Sequence, residues 1–319
     1  MLTDSDLNKL KKLREKEIPT LSVELIKTDT PQFEQLKTFC GIFQENSGIE
    51  IKKVAGDDLL PGIRIDRKIT YHAVPTGPEL EPFIDALTQN LSSGDRFKAT
   101  ARKIVGPVYI DVFIAPQCPF CPRAVQTLLP LAAASPFVKI AVIDAMLFTE
   151  TAQNANVQST PTTLLDQHYR WIGLPPVDEV LRMAISRDPS ELSPSALQGM
   201  IADSDAEGLA QMMADNGNVF PGFIALLIDE KWSTRLGAMA AFEYLVEIDV
   251  EKGARYIEPL WAHINKVDAQ VQGDIAYLLG ESKSPKATEK LTLLSQGSYP
   301  EPVKEAALEA LESLAQSVT

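Results

Sequence analysis

The chain is poor in the residues that build metal sites. It has three cysteines and three histidines in 319 residues. A structural zinc site needs four ligands. Beyond Cys118 and Cys121 the chain offers Cys40, His72, His168 and His263, none at ligand spacing from another, so no metal is expected. It is short of positive charge, with 30 Lys+Arg against 43 Asp+Glu and a net charge of −13. That balance excludes a protein that neutralises a phosphate backbone. The excess is concentrated late: residues 200–319 hold 9 Lys+Arg and 19 Asp+Glu. No apolar run approaches the ~20 residues that span a bilayer, so no membrane partner is expected. The opening stretch, MLTDSDLNKLKKLREKEI, lacks the apolar segment of a signal peptide and reads as an amphipathic helix with Leu2, Leu7, Leu10 and Leu13 on one face. A cytoplasmic location follows as the expectation. No Gly-x-Gly-x-x-Gly follows a strand pattern, so no flavin or nicotinamide cofactor is expected.

Two of the three cysteines stand together, as Cys118-Pro119-Phe120-Cys121. The β-branched and apolar run Val108 to Ala115 precedes them, and a helical pattern from Pro122 to Ala134 follows. In a reducing compartment such a pair is catalytic more often than structural. The thiolate is the reactive form, and unpaired N–H groups at a helix N-terminus favour it. Cys118 is therefore expected in the first helical turn as the nucleophile. Cys121, one turn on, is placed to resolve a mixed disulfide. Pro119 suits a first turn because it has no N–H to leave unpaired, and Pro130 predicts a kink in the same helix. Cys40 lies on the apolar stripe of a helical pattern at 35–43 and reads as a core residue.

The chain also repeats itself. Pro61, Asp66, Tyr71, Pro75 and Glu79 recur 100 residues later as Pro161, Asp166, Trp171, Pro175 and Glu179. Each copy reads as strand, turn at the aspartate, strand, then helix. Upstream, aligning Glu24 with Asp111 sets Leu21 to Ile26 against the later strand, and puts Pro31 and Glu34 where Cys118 and Cys121 stand. The first copy is shorter and lacks the stretch 147–157, which reads as a helix in the second.

The Cys-x-x-Cys, followed forty residues on by Ser159-Thr160-Pro161-Thr162, resembles the thioredoxin fold. The run Ala115 to Pro122 is similar to the glutaredoxin-like protein disulfide oxidoreductases, which carry two thioredoxin units in tandem. The resemblance implies α/β tandem thioredoxin-like folds with mixed sheets. Pro161 would be the cis-proline beside the cysteines, and the backbone of Thr160 would pair with a bound polypeptide or glutathione. Pro119 and Phe120 would complete the docking surface. The acid that thioredoxins bury on this strand falls by spacing on Val112, with Asp111 on the other face, so that acid is expected to be missing.

Ser186 to Pro194 reads as a linker. Beyond it strand patterns vanish, and helices are expected at 194–203, 205–215, 219–229, 232–247, 253–265, 268–280, 284–296 and 301–316. Small and apolar residues recur at helical spacing around Ala238, Ile275 and Ala307, a pattern that is similar to HEAT repeats, with Gly280 closing one helix and Pro285 opening the next. The expected domains are 1–100, a degenerate thioredoxin-like unit; 101–187, the active unit; and 197–319, an all-α HEAT-like helical repeat. The expected function is a thiol–disulfide oxidoreductase acting on protein disulfides, supplied with electrons by an external reductase or glutathione, with the helical part recruiting a partner. The other reading from the same residues is an adaptor whose helical repeat binds a protein partner while the dithiol acts as a switch without turnover.

Overall fold

The structure is a computed structural model that describes residues 2–15, 22–55, 60–88 and 94–317. It divides into two compact units, Met1–Arg187 and Asp188–Thr319.

The first unit runs α1 (Asp4–Leu13), β1 (Val23–Lys27), α2 (Gln32–Ser47), β2 (Lys52–Ala55), β3 (Gly62–Ile65), β4 (Ile69–His72), α3 (Leu80–Thr88), α4 (Gly94–Ala101), β5 (Val108–Ile114), α5 (Cys121–Ala134), β6 (Val138–Asp144), α6 (Thr149–Asn154), β7 (Thr162–Leu165), β8 (Tyr169–Ile172) and α7 (Val177–Ser186). The eight strands among the described residues form one mixed sheet in the order β2-β1-β3-β4-β6-β5-β7-β8. The α/β fold expected from sequence is present, and its two halves share a plan. In each, a strand is parallel to one neighbour and antiparallel to the first strand of a hairpin. The halves join where β4 runs parallel to β6.

Both hairpins turn on left-handed residue pairs, Asp66 and Arg67 in one and Asp166 and Gln167 in the other. Such turns match the twist of the strands they join, so the repeated aspartate marks a real structural repeat. The sheet register agrees: Glu24 pairs with Arg64, and Asp111 with Leu164. Glu24 and Asp111 are thus equivalent, as the alignment required. Leu21 lies outside the described residues, as do residues 16–18 at the end of the expected N-terminal helix. The stretch absent from the first half supplies α6 in the second.

Alternation along the strands gives the sheet two faces. One carries Tyr71, Val112 and Trp171, and is covered by helices. Phe39, Phe43 and Phe83 pack there with ring centroids 5.5–5.8 Å apart, and Phe83 meets Tyr71 edge-on at 5.1 Å. Each such side chain contributes about 1.5–3 kcal/mol on burial. On the other face Phe113, Ile143 and Leu164 pack with Phe148 and Ala152, from the α6 segment.

Pro130 lies inside helix α5, where it removes one helical hydrogen bond without ending the helix. One expectation for this region changes. The stretch expected as a linker is folded: Pro189–Glu191 is a 3-10 turn, Asp188 caps it, and Leu192 is buried.

The second unit contains α8 (Pro194–Ala202), α9 (Ala206–Asn216), α10 (Pro221–Leu227), α11 (Trp232–Ile248), α12 (Val250–Ala254), α13 (Ile257–Trp261), α14 (Ala269–Glu281), α15 (Thr288–Gln296) and α16 (Glu301–Ser317). It is all-helical, with most bounds within a residue or two of expectation. The helix expected over 253–265 is instead split between α12 and α13 and ends early. Pro259 lacks the N–H that a continuous helix would bond to the Arg255 carbonyl, but sits comfortably in the first turn of a new one. Gly280 does not close a helix. It lies within α14, where a Cβ would come 2.8 Å from Ala310 Cβ, so it sets how closely α14 and α16 approach. Pro285 does open the 3-10 turn before α15.

Candidate active site

Strand β5 delivers the chain to the Cys118 loop, and α5 leads away from it. Cys118 and Cys121 form a disulfide, with Cα atoms 5.5 Å apart. Cys118 is half-buried and Cys121 fully buried. One sulfur is therefore reachable from solvent, while the other must act from within.

The helix begins at Cys121, not at Cys118. Cys118 and Pro119 precede it, and Pro122 is the proline of the first turn. The electrostatic argument survives this shift. The Cys121 N–H points at Cys118 Sγ from 3.1 Å, so an unpaired helix N-terminal donor faces the sulfur. Arg123 is exposed on the helix surface.

The Thr160–Pro161 bond is cis, alone among the described residues. Cys118 Sγ lies 3.6 Å from the Thr160 carbonyl oxygen. An oxidised sulfur has no proton to donate, so this contact becomes a hydrogen bond only in the dithiol. The β5–β7 ladder ends at Phe113 and Thr162; Thr160 lies beyond it, beside the sulfur. Phe120 is 60% exposed on the outer side of the loop. Cys118, Cys121, Thr160 and Pro161 are thus brought together, with Pro119 and Phe120 flanking them.

Val112 occupies the position expected to lack an acid and is fully buried. Asp111 lies on the opposite face, where burial, and then the charge of Asp166, push its carboxyl up to about 6. Cys40 is in the core of α2, and burial pushes its thiol up to about 12.

Sequence reasoning passed over one carboxyl here. Glu79, in the 3-10 turn Gly77–Glu79, is 4% exposed, and neither of its carboxyl oxygens has a hydrogen-bond partner among the described residues. Strands β4 and β5 both run parallel to β6, so α3 and α5 start from the same end of the sheet. Five residues into each helix, Gln126 Nε2 donates to Asp85 Oδ2 at 3.0 Å. The turn holding Glu79 packs on α5, which places Glu79 toward the Cys121 end of that helix. Burial, and then the charge of Asp144, push Glu79 up to about 7. Asp144 itself is raised by burial, against the lowering effect of N–H donors from Met146 and Leu147. The recurrence of Glu79 as Glu179 was the available signal, but it could not say which copy would pack on the helix that begins at Cys121.

A cleft of about 630 Å³ opens beside this loop. Pro116 and Leu147 line it with Leu7 and Phe39, and its charged groups are Glu34 and Asp144.

A family model for the thioredoxin domain matches residues 108–184. Among solved structures, the chain is similar to a protein disulfide oxidoreductase from Aeropyrum pernix K1, with 18% identity and a TM-score of 0.51, covering 60% of this chain and 96% of that one. It is also similar to the NTD_N/C domain of the alkylhydroperoxide reductase AhpF from Enterococcus faecalis, with 18% identity and a TM-score of 0.46, covering 58% of this chain and 100% of that one. No curated protein matches the chain. The family match and the likeness to the Aeropyrum structure show a thioredoxin-like α/β fold; in this chain it carries the Cys118–Cys121 disulfide and is followed by a region of many helices. No helix among the described residues is long and apolar enough to cross a membrane.

Proposed function

We propose that the protein is a thiol–disulfide oxidoreductase of the glutaredoxin-like kind acting on protein disulfides. Residues 1–100 serve as a degenerate thioredoxin-like unit, 101–187 as the active unit, and 197–319 as a HEAT-like repeat that recruits a partner. The observation that carries this reading is the half-buried Cys118 sulfur, faced by the Cys121 N–H and lying beside cis-Pro161.

In the reduced protein the Cys118 thiolate attacks one sulfur of a substrate disulfide. That S–S bond breaks, a mixed disulfide forms, and the other substrate sulfur leaves as a thiolate. The Cys121 thiolate then attacks Cys118 Sγ, forms the internal disulfide and releases the second substrate thiolate. Glu79, which can hold or release a proton near neutral pH, takes the Cys121 proton at this step. Two electrons end on the substrate, whose two leaving thiolates take their protons from solvent; Glu79 releases its proton to solvent, and an external reductase or glutathione returns the electrons. Thr160 offers its backbone to the substrate chain, and Pro161, Pro119 and Phe120 shape the surface around the sulfur.

Reduction of insulin disulfides with dithiothreitol or glutathione as donor tests the reading. Turnover that vanishes in Cys118→Ser supports it. A dithiol that changes partner binding without turnover would instead identify a redox-responsive adaptor.

A further inference from the structure

In the second unit α11 packs on α14 and α14 on α16, and a groove of about 630 Å³ runs over the three helices. Trp232, Leu236 and Met239 line it from α11, and Tyr277 from α14. Spacings of four and three residues put the α11 side chains on one stripe. Trp232, Leu236 and Tyr277 are 48%, 52% and 40% exposed, high for large apolar side chains that share one groove.

The charged residues that line this groove are both carboxylates, Glu243 and Asp274. Helices α11, α14 and α16 together carry eight carboxylates and two cations. Both cations are engaged. Arg235 is 1% exposed and donates from Nε to Asp274 at 2.6 Å. Lys304 lies 3.8 Å from Glu301. Glu243, in the groove lining, accepts a hydrogen bond from Tyr277 at 2.8 Å, which fixes its carboxylate there. Arg235 already lies over the Trp232 ring, 5.5 Å from its centroid, but the exposed Tyr277 beside the fixed Glu243 carboxylate suits a cation delivered on an apolar segment. The helices bond their own backbone groups, so no strand edge is offered for an extended peptide to join. A second copy docked here by a two-fold contact would bring the Glu243 carboxylate toward its own counterpart, since such a contact pairs a patch with itself.

We propose that this groove docks an amphipathic helical segment of a partner protein, with apolar anchors along one stripe and Lys or Arg beside them. This deepens the recruiting role proposed above for residues 197–319, and it stands or falls on binding alone.

The test uses the full chain and two labelled synthetic 18-residue peptides. Both carry leucines at i, i+3, i+4 and i+7; one has lysine and the other glutamate at the remaining positions. By fluorescence anisotropy the lysine peptide is expected to bind at least about tenfold more tightly than the glutamate peptide, and to weaken steeply between about 0.05 and about 0.5 M salt. Leu236→Asp, at an exposed site, and Glu243→Lys should each weaken it about tenfold without lowering the thermal midpoint. Equal affinity for the two peptides, binding of neither, or indifference to both variants overturns the proposal. So does a concentration-dependent dimer in analytical ultracentrifugation that Leu236→Asp dissolves, since a second copy would then fill the groove. A chain that binds the lysine peptide yet reduces no disulfide upholds the groove and removes the catalytic reading. The reverse result removes the groove alone.

Discussion

Arg64 Nη2 lies 2.8 Å from Glu24 Oε2 across β1 and β3, where the equivalent register position in the second half sets Asp111 against Leu164. One repeat pairs its strand carboxylate with a cation; the other leaves it facing a leucine, with its carboxyl raised to about 6. Arg64→Leu would make the first half resemble the second. Glu24 is 15% exposed, so its charge would lose a partner largely away from water. A loss of about 1–3 kcal/mol in urea unfolding is expected. A change below about 0.3 kcal/mol would show the pair to behave like an exposed surface bridge.

Glu79 makes the second prediction. Its carboxyl is raised to about 7 from an ordinary value of 4.5, so the folded protein holds a proton that the unfolded chain releases. Its contribution to stability is therefore full below about pH 4.5 and is lost as pH rises through about 7. The loss approaches about 3 kcal/mol above that point. Glu79→Gln removes this dependence, so the variant should be more stable than the parent at pH 8 and similar to it at pH 4. Its turnover should fall, most of all at the resolving step, and the pH–rate profile should lose its inflection near 7. A variant with unchanged stability at pH 8 and an unchanged profile would remove Glu79 from the proposed proton transfer.

The cysteines make the third. A helix N–H aimed at Cys118 Sγ favours the thiolate, so its alkylation by iodoacetamide should have a midpoint within roughly 3.5–7.5. Cys118→Ser should abolish disulfide reduction. Cys121→Ser should accumulate mixed disulfides that identify the substrate. Cys40→Ser should leave turnover intact, because the Cys40 thiol is buried and raised to about 12. A first-reacting cysteine with a midpoint near 8.5 would contradict the assignment of Cys118.

The fold was legible where local chemistry carries it. Asp66 and Asp166 announce left-handed hairpin turns, and the 100-residue offset between them reveals the repeat from residue identities alone. Cys118 and Pro161 are similarly visible because their spacing is distinctive. Three features were hidden because they depend on tertiary neighbours. Glu79 looks like an ordinary acid at the start of a helix, and only the packing of its turn on α5 gives it importance. Gly280 looks like a helix terminator until Ala310 is found beside it. The stretch 253–265 reads as one helix, when the chain instead starts a new one two residues before Pro259.

Two glycines make the fourth prediction by contrast. Gly41 is exposed within α2, and a Cβ added there would meet nothing within 4 Å. Gly41→Ala should stabilise the first unit by about 0.5–1 kcal/mol, the usual gain in a helix interior. Gly280→Ala meets Ala310 Cβ at 2.8 Å and its Cα at 3.0 Å. The backbone atom cannot rotate away, so α14 and α16 must separate, at a cost of about 1–3 kcal/mol. Thermal unfolding of the two variants should shift in opposite directions. A neutral Gly280→Ala would mean that the two helices have room to part.

The last prediction separates the units. Arg187 belongs to the first: its Nε donates to Asp166 at 3.1 Å, and its carbonyl accepts from the Tyr169 hydroxyl at 2.5 Å. Asp188 belongs to the second, accepting from Ser190 and Asn216. The division between the compact units falls at the bond between them, and a chain ending at Arg187 keeps every group named in the proposed chemistry. Such a chain should fold, with the near-ultraviolet signal of its buried Trp171 intact, and should reduce a small disulfide at close to the rate of the full chain. Its activity on the physiological protein substrate should fall through a higher KM at an unchanged kcat, because recruitment is lost while the chemical step is kept. A truncated chain that is folded but inactive on the small disulfide would place part of the active site in the helical unit and end the modular reading.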